Sequence, residues 1–107
     1  MTLLDELLRR PPPPPTPRSP RWNRMRRIWL RHSPKCAACG GRLFHQVHHV
    51  VPFHIDPARE LDVTNLITLC MRPSRSCHLK IGHNGNWQSW NPNVRADAER
   101  KRSETIA

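Results

Sequence analysis

The chain has 107 residues and a formal charge of +10, from 18 Lys and Arg against eight Asp and Glu. That length suffices for one domain, and no apolar run approaches the ~20 residues of a membrane span. Much of the chain cannot be core, which leaves about 60–80 residues to pack, a size at which burial alone is marginal and a covalent or metal staple is usual. Nine of the 18 basic residues lie at or before Lys35, against two acids, Asp5 and Glu6. So lopsided a charge suggests an anionic partner, most commonly a nucleic-acid backbone. Charge alone leaves open a solvated basic tail. The N-terminus has acids near its start and no small-residue cleavage pattern, unlike a signal peptide. An intracellular protein is therefore expected, and there four cysteines serve as metal ligands more often than as two disulfides.

Residues 2–10 have the pattern of a short amphipathic helix, with Thr2 as a cap, acids early and arginines late. The proline run of residues 11–20 ends it and favours extended polyproline II. Residues 1–20 thus read as a flexible arm, either a disordered tail or a partner-docking segment, and 21–107 as the folded domain. Over 20–32, Trp22, Met25, Trp29 and Leu30 fall at helical spacing, with Arg21, Arg24, Arg27 and Arg31 on another face. Pro34 stops this helix. Cys36-Ala-Ala-Cys39-Gly-Gly is a tight knuckle. Arg42 to Val51 alternates as a strand entering a hairpin, and Pro52 and Pro57 bound an irregular loop, 52–61. Residues 62–70 suit a strand or a loop and turn. Residues 72–76 form a loop, and a helix begins near Cys77 and runs toward Gly82. Asn91-Pro92 is a good helix start, opening a polar helix from Val94 to Arg102.

Cys36-x2-Cys39 and Cys70-x6-Cys77 supply four soft ligands. Thiolates in a tetrahedral set suit Zn2+, and a closed four-sulfur site leaves no open position, so it is structural, not catalytic. The second pair is less regular, because six intervening residues exceed the usual spacing; disulfides or free thiols are the alternative.

Four of the seven histidines cluster: His45, His48, His49 and His54. His78 and His83 follow the last cysteine. With one metal satisfied by sulfur, the histidines invite a second site. His48-His49-Val50-Val51-Pro52, then Asn65-Leu66, Leu69-Cys70 and Cys77-His78, resembles the HNH endonuclease family over about residues 22–95. The likeness is greatest to its small zinc-containing members found with phage packaging genes. The resemblance implies a small α+β fold: a ββα-metal (HNH) core stapled by a four-cysteine zinc site, with flanking N- and C-terminal helices.

It further implies a metal-dependent DNA endonuclease of low sequence specificity in a bacterial or phage-infected cytoplasm. His49 would be the general base; a neutral imidazole, of unperturbed pKa ~6.5, suits that task near pH 7. His48 and His78 would be metal ligands, with His83 a further candidate. Five residues apart, His78 and His83 lie about 140° apart on an ideal α-helix, so their division of labour is open. Asn65 would fix the loop that orients the base. The second metal is Mg2+, Mn2+, Ni2+ or Zn2+, which ligand type alone does not separate. Arg72, Arg75 and Lys80 would position the DNA backbone. His45 and His54 fall outside the motif and are read as non-catalytic. Partners implied are DNA and, through the arm, phage terminase or other packaging proteins. The rivals are a non-catalytic zinc-stapled nucleic-acid-binding module and a packaging accessory protein.

Overall fold

In the computed structural model the described residues are 3 and 16–106. The helix expected over 2–10 and the first part of the proline run lie outside them, Leu3 apart. Helix α1 (Trp22–His32) presents its stripe to the body of the fold without fully burying any residue. Arg31 and His32 in its last turn suit the negative end of the helix dipole. Trp29 anchors it: the indole N–H donates to Thr68 Oγ1 (2.9 Å), and that hydroxyl donates to the Ser33 carbonyl (2.7 Å).

The knuckle follows. Gly40 N–H donates to the Cys36 carbonyl and Cys36 N–H to the Gly41 carbonyl, both at 2.8 Å. Gly40 takes φ +75°, a conformation that favours glycine. Strand β1 (His45–His49) then pairs antiparallel with β2 (Leu66–Cys70), in the register His45 to Cys70 and His49 to Leu66. Every residue of β2 is buried, which is why its sequence lacks an alternating polar face.

Between the strands the chain makes two short 3-10 turns, Pro57–Arg59 and Val63–Asn65. After β2 comes a π-helical turn, His78–Gly82, where an α-helix was expected. Helix α2 (Val94–Ile106) ends the described chain, four residues beyond the expected Arg102. Asn91 leads into it, its Oδ1 accepting from Asn93 N–H (2.9 Å) while its Nδ2 donates to the Ile81 carbonyl (2.9 Å) and Asp97 (2.7 Å). The sheet carries the π-turn on the face of Gln46 and His48 and α1 on the face of His49 and Thr68. This is the alternation that a pleated strand imposes.

The core is small. Apart from Ile67, Leu69 and Val94 it consists of Ala38, Ala98 and the four cysteines. Leu66 is fully buried beside it. Two upstream residues extend the fold. Arg18 is paired with the buried Glu60 carboxylate, and Ser19 N–H donates to the same group (2.8 Å). Arg18 and Ser19 thus sit against the fold although composition placed them in the arm. Among the described residues no helix is long and apolar enough to cross a membrane.

With so few large aliphatic side chains, the cysteine cluster has to carry much of the stability. Cys70→Ser, or treatment with a strong zinc chelator, is expected to abolish the cooperative unfolding transition, followed by far-UV circular dichroism against urea. An unaltered transition in both cases would show that the thiols hold no structural metal.

Candidate active site and metal centres

Two clusters stand out among the described residues. In the first, Cys36, Cys39, Cys70 and Cys77 are all buried, with their sulfur atoms within 4.8 Å of one another. The Cys39 and Cys70 sulfurs are 3.7 Å apart. Sulfurs about 2.3 Å from one tetrahedral ion lie about 3.8 Å apart, so the spacing fits zinc rather than a disulfide. Burial raises the Cys36 and Cys77 thiols, Cys77 also through the charge of neighbouring thiolates. Burial raises Cys39 too, but the Gly41 N–H, the Arg75 guanidinium and the neighbouring thiols outweigh it and bring Cys39 to about 6. One thiolate is thus favoured before any cation binds.

The second cluster is His48, His78 and His83. His48 Nδ1 is 3.0 Å from His78 Nε2, which is 3.3 Å from His83 Nε2. Two of the three outer nitrogens have acceptors: His78 Nδ1–H donates to Gln46 Oε1 (2.9 Å) and His83 Nδ1–H to the Ser89 carbonyl (2.7 Å). Those bonds put the protons outside and leave Nε2 lone pairs facing inward. Inward lone pairs this close repel each other unless a cation lies between them. Nitrogens about 2.0–2.1 Å from one metal are roughly 3 Å apart. The donors therefore fit a divalent cation, each outer bond fixing a ring as is usual around metal sites. His48 Nε2 is buried without a partner.

The π-turn explains how histidines five apart converge. Its hydrogen-bond period is one residue longer than that of an α-helix, so i and i+5 share a face. The ideal-helix angle of the sequence argument does not apply. Gly82, inside this turn, is buried because His48 crosses it: a Cβ there would lie 3.1 Å from His48 Cε1 and from Leu69 Cδ1.

His49, the last residue of β1, lies on the other face. Its Nε2–H donates to the Glu60 carbonyl (2.9 Å), which leaves Nδ1 as the basic nitrogen, and its ring packs on Trp22 at 4.6 Å. Burial lowers its pKa, and the nearby Arg18 charge adds to that, while Glu60 opposes through its carbonyl and carboxylate. Asn65 holds the intervening loop. Its Oδ1 accepts from Val51 N–H (2.8 Å), and its Nδ2 donates to the Val51 (3.0 Å) and Arg59 (3.2 Å) carbonyls. Arg59 precedes Glu60, so these bonds also fix the carbonyl that orients His49.

A groove of about 420 Å³ joins His48, His49, His78 and His83 and is also lined by Arg18 and Arg26. Arg72, Arg75 and Lys80 do not line it. Arg75 touches the Cys39 sulfur, and Arg72 approaches Gly41 of the knuckle. Lys80 borders the depression beside the thiols. His45 Nε2–H donates to the Gly41 carbonyl (3.1 Å), and His54 is exposed at the groove. Sequence reasoning missed Arg18, Glu60 and Trp87, the last lying against the rings of His78 (5.2 Å) and His83 (4.9 Å). Only the surplus of tryptophans, four in the chain, hinted at one of them.

Two antiparallel strands and a following helical turn that converge histidines on one point define a ββα-metal site. Residues 36–84 match the sequence model of the HNH endonuclease family, and the two strands and the histidine-bearing turn all lie within the matched segment. The match is to the family as a whole and singles out no phage-packaging type. No curated protein and no solved structure matches the chain significantly.

Burial, then the charges of the neighbouring histidines, lowers His48 to about 3; burial and His83 lower His78 to about 4. Unfolded imidazoles titrate near 6.5. Between these limits the unfolded chain binds more protons, so the stability from keeping both rings neutral is present above pH ~6.5 and is lost as pH falls toward 3. Without added divalent metal, the change from about pH 7.5 to about pH 5.5 should cost on the order of 1–2 kcal/mol, allowing for the partial exposure of His78. Tm should fall accordingly, and less in His48→Asn. Equal slopes for both proteins would rule out His48 as a source of the effect.

Proposed function

We propose that the protein is a metal-dependent DNA endonuclease that hydrolyses phosphodiester bonds with little regard to sequence. The observation that carries this reading is a half-buried imidazole, His49, oriented by a backbone carbonyl at the edge of a groove whose floor is a three-histidine cluster. In this reading His49 Nδ1 takes the proton from the attacking water, and its lowered pKa keeps it neutral and ready near pH 7. The Glu60 carbonyl, held in turn by the Asn65 loop, keeps the ring in the tautomer that presents Nδ1.

Residues His48, His78 and His83 would hold a divalent cation, Mg2+, Mn2+, Ni2+ or Zn2+. When bound there it supplies Lewis-acid stabilisation of the phosphate and of the leaving 3′ oxygen. Arg18 and Arg26 are positioned along the groove to grip the DNA backbone. Such contacts set register and carry no sequence information. Cleavage leaves a 5′-phosphate and a 3′-hydroxyl. Arg72, Arg75 and Lys80 act on a different face, where the guanidinium of Arg75 supports the thiolates of a structural zinc site. The reduced, metal-ready cysteines fit a cytoplasmic setting.

Supercoiled plasmid incubated with the purified protein and each of the four metals should be converted to nicked or linear forms. His49→Ala should retain the fold and DNA binding but lose activity by about 100-fold or more, the contribution of a general base. Cutting by both proteins alike, or by neither with any metal, would defeat the proposal.

A further inference from the structure

Trp87 is half exposed, at 50 % of its surface, although it is one of the largest apolar side chains in the protein. A singly exposed aromatic ring needs no explanation by itself. The placement of this one does. Its ring meets His78 edge-on at 5.2 Å and His83 at a tilt at 4.9 Å, in contact with two of the three imidazoles that converge on one point.

The loop carrying Trp87 is tied down. Asn86 N–H donates to the His83 carbonyl (3.0 Å), Ser89 N–H to the Asn86 carbonyl (2.9 Å) and Gln88 N–H to Asn86 Oδ1 (2.9 Å). His83 Nδ1–H closes the loop on the Ser89 carbonyl (2.7 Å). A ring held in place this way has already lost its freedom, so a ligand that stacks on it gives up little entropy. The other indole of the site differs: Trp22 is covered by His49 and lies beneath the Arg18 guanidinium, 5.4 Å from its centroid.

We propose that Trp87 is a stacking platform for an unpaired nucleobase next to the phosphate held at the histidine cluster. The proposal rests on the nuclease reading and narrows its substrate to DNA with a single-stranded or locally unpaired nucleotide at the cleavage point. A base lies one sugar away from its phosphate, so an indole touching the metal-binding imidazoles is within reach of a base flanking that phosphate. In a paired duplex both faces of each base are covered by neighbours, and the indole meets only sugar edges. An unpaired base offers a free face, and such stacking is tolerant of sequence because every base has one.

Binding without cleavage tests this. Fluorescence anisotropy of a labelled single-stranded oligonucleotide and of a blunt duplex is measured without added divalent metal, for wild type, Trp87→Phe, Trp87→Leu and Trp87→Ala. Trp87→Leu and Trp87→Ala should weaken single-strand binding roughly tenfold and duplex binding less than about twofold, while Trp87→Phe stays near wild type. Thermal melts of all four proteins report the fold, and Trp87→Leu preserves apolar bulk if Trp87→Ala is unstable. Equal losses on both substrates, binding by Trp87→Leu equal to Trp87→Phe, unchanged binding by Trp87→Ala, or no single-strand binding by wild type would each overturn the platform. If the variants follow the expected pattern while wild type cuts neither the plasmid nor the single-stranded oligonucleotide with any metal, stacking on Trp87 stands and the nuclease reading fails.

Discussion

Everything in this domain depends on four cysteines being held round one point. Buried thiolates repel one another and lose their hydration, and a cation held among the four sulfurs would compensate for both. The geometric consequences run outward from there. Cys70 ends β2, and its pairing with His45 sets the register that lays His48 beside Ile67. Cys77 stands immediately before the π-turn, so His78 is placed by its neighbour's sulfur. A closed four-sulfur site would leave no open coordination position, yet the cluster fixes two of the three histidines of the other cluster.

Adjacent histidines acquire different characters because a pleated strand sends them to opposite faces. His48 goes to the crowded side, against Gly82 and Leu69, where burial and like-charged neighbours keep it neutral. His49 goes to the α1 side, where a carbonyl takes its Nε2–H and an indole covers one face. The strand ends at His49, and the groove passes round that end, so both rings border the same space. Asn65 links this to the rest of the loop. Three bonds from one amide hold residues 51 and 59, and the next carbonyl along, that of Glu60, meets His49. Losing that amide would strand buried backbone groups as well as release the loop.

The parts of the site legible from sequence were those whose chemistry is carried by residue type. Cysteine pairs and the His48-His49 dyad declare themselves, because few other uses explain them together. The α1 stripe and the Asn91-Pro92 start were equally legible, since both rest on local periodicity and capping. The convergence of His78 and His83 was not, because a period of 3.6 is the default and nothing in His-Leu-Lys-Ile-Gly announces a π-turn. Arg18 and Glu60, 42 residues apart, were beyond local reasoning altogether. A proline-rich composition pointed to a free arm, whereas one buried carboxylate is enough to recruit Arg18 and Ser19 to the fold. Arg72, Arg75 and Lys80 were chosen for their nearness in sequence to His78. Sequence distance does not say which face a side chain takes, and the thiol cluster draws Arg75 the other way.

The Arg18–Glu60 pair also bears on the charge of the groove. Three imidazoles are neutral ligands, so a cation among them would keep its full charge for the phosphate, undiminished by a carboxylate ligand. Glu60 is the buried acid nearest His49, and left unpaired its carboxylate would oppose any polyanion approaching the groove. Pairing with Arg18 removes that opposition and leaves the guanidinium over the Phe53 ring, 4.4 Å from its centroid, at the wall of the groove. Arg26 lines the same wall, and Arg21, Arg24, Arg27 and Arg31 are exposed along α1. In a chain of net charge +10, Arg18 and Arg26 are thus the cations that line the groove beside the histidine cluster among the described residues. Attraction of this kind is released counterion by counterion as phosphates bind. On the proposed nuclease reading it would bring any DNA to the groove, so discrimination among substrates would have to come from what lies beside the three histidines rather than from the field.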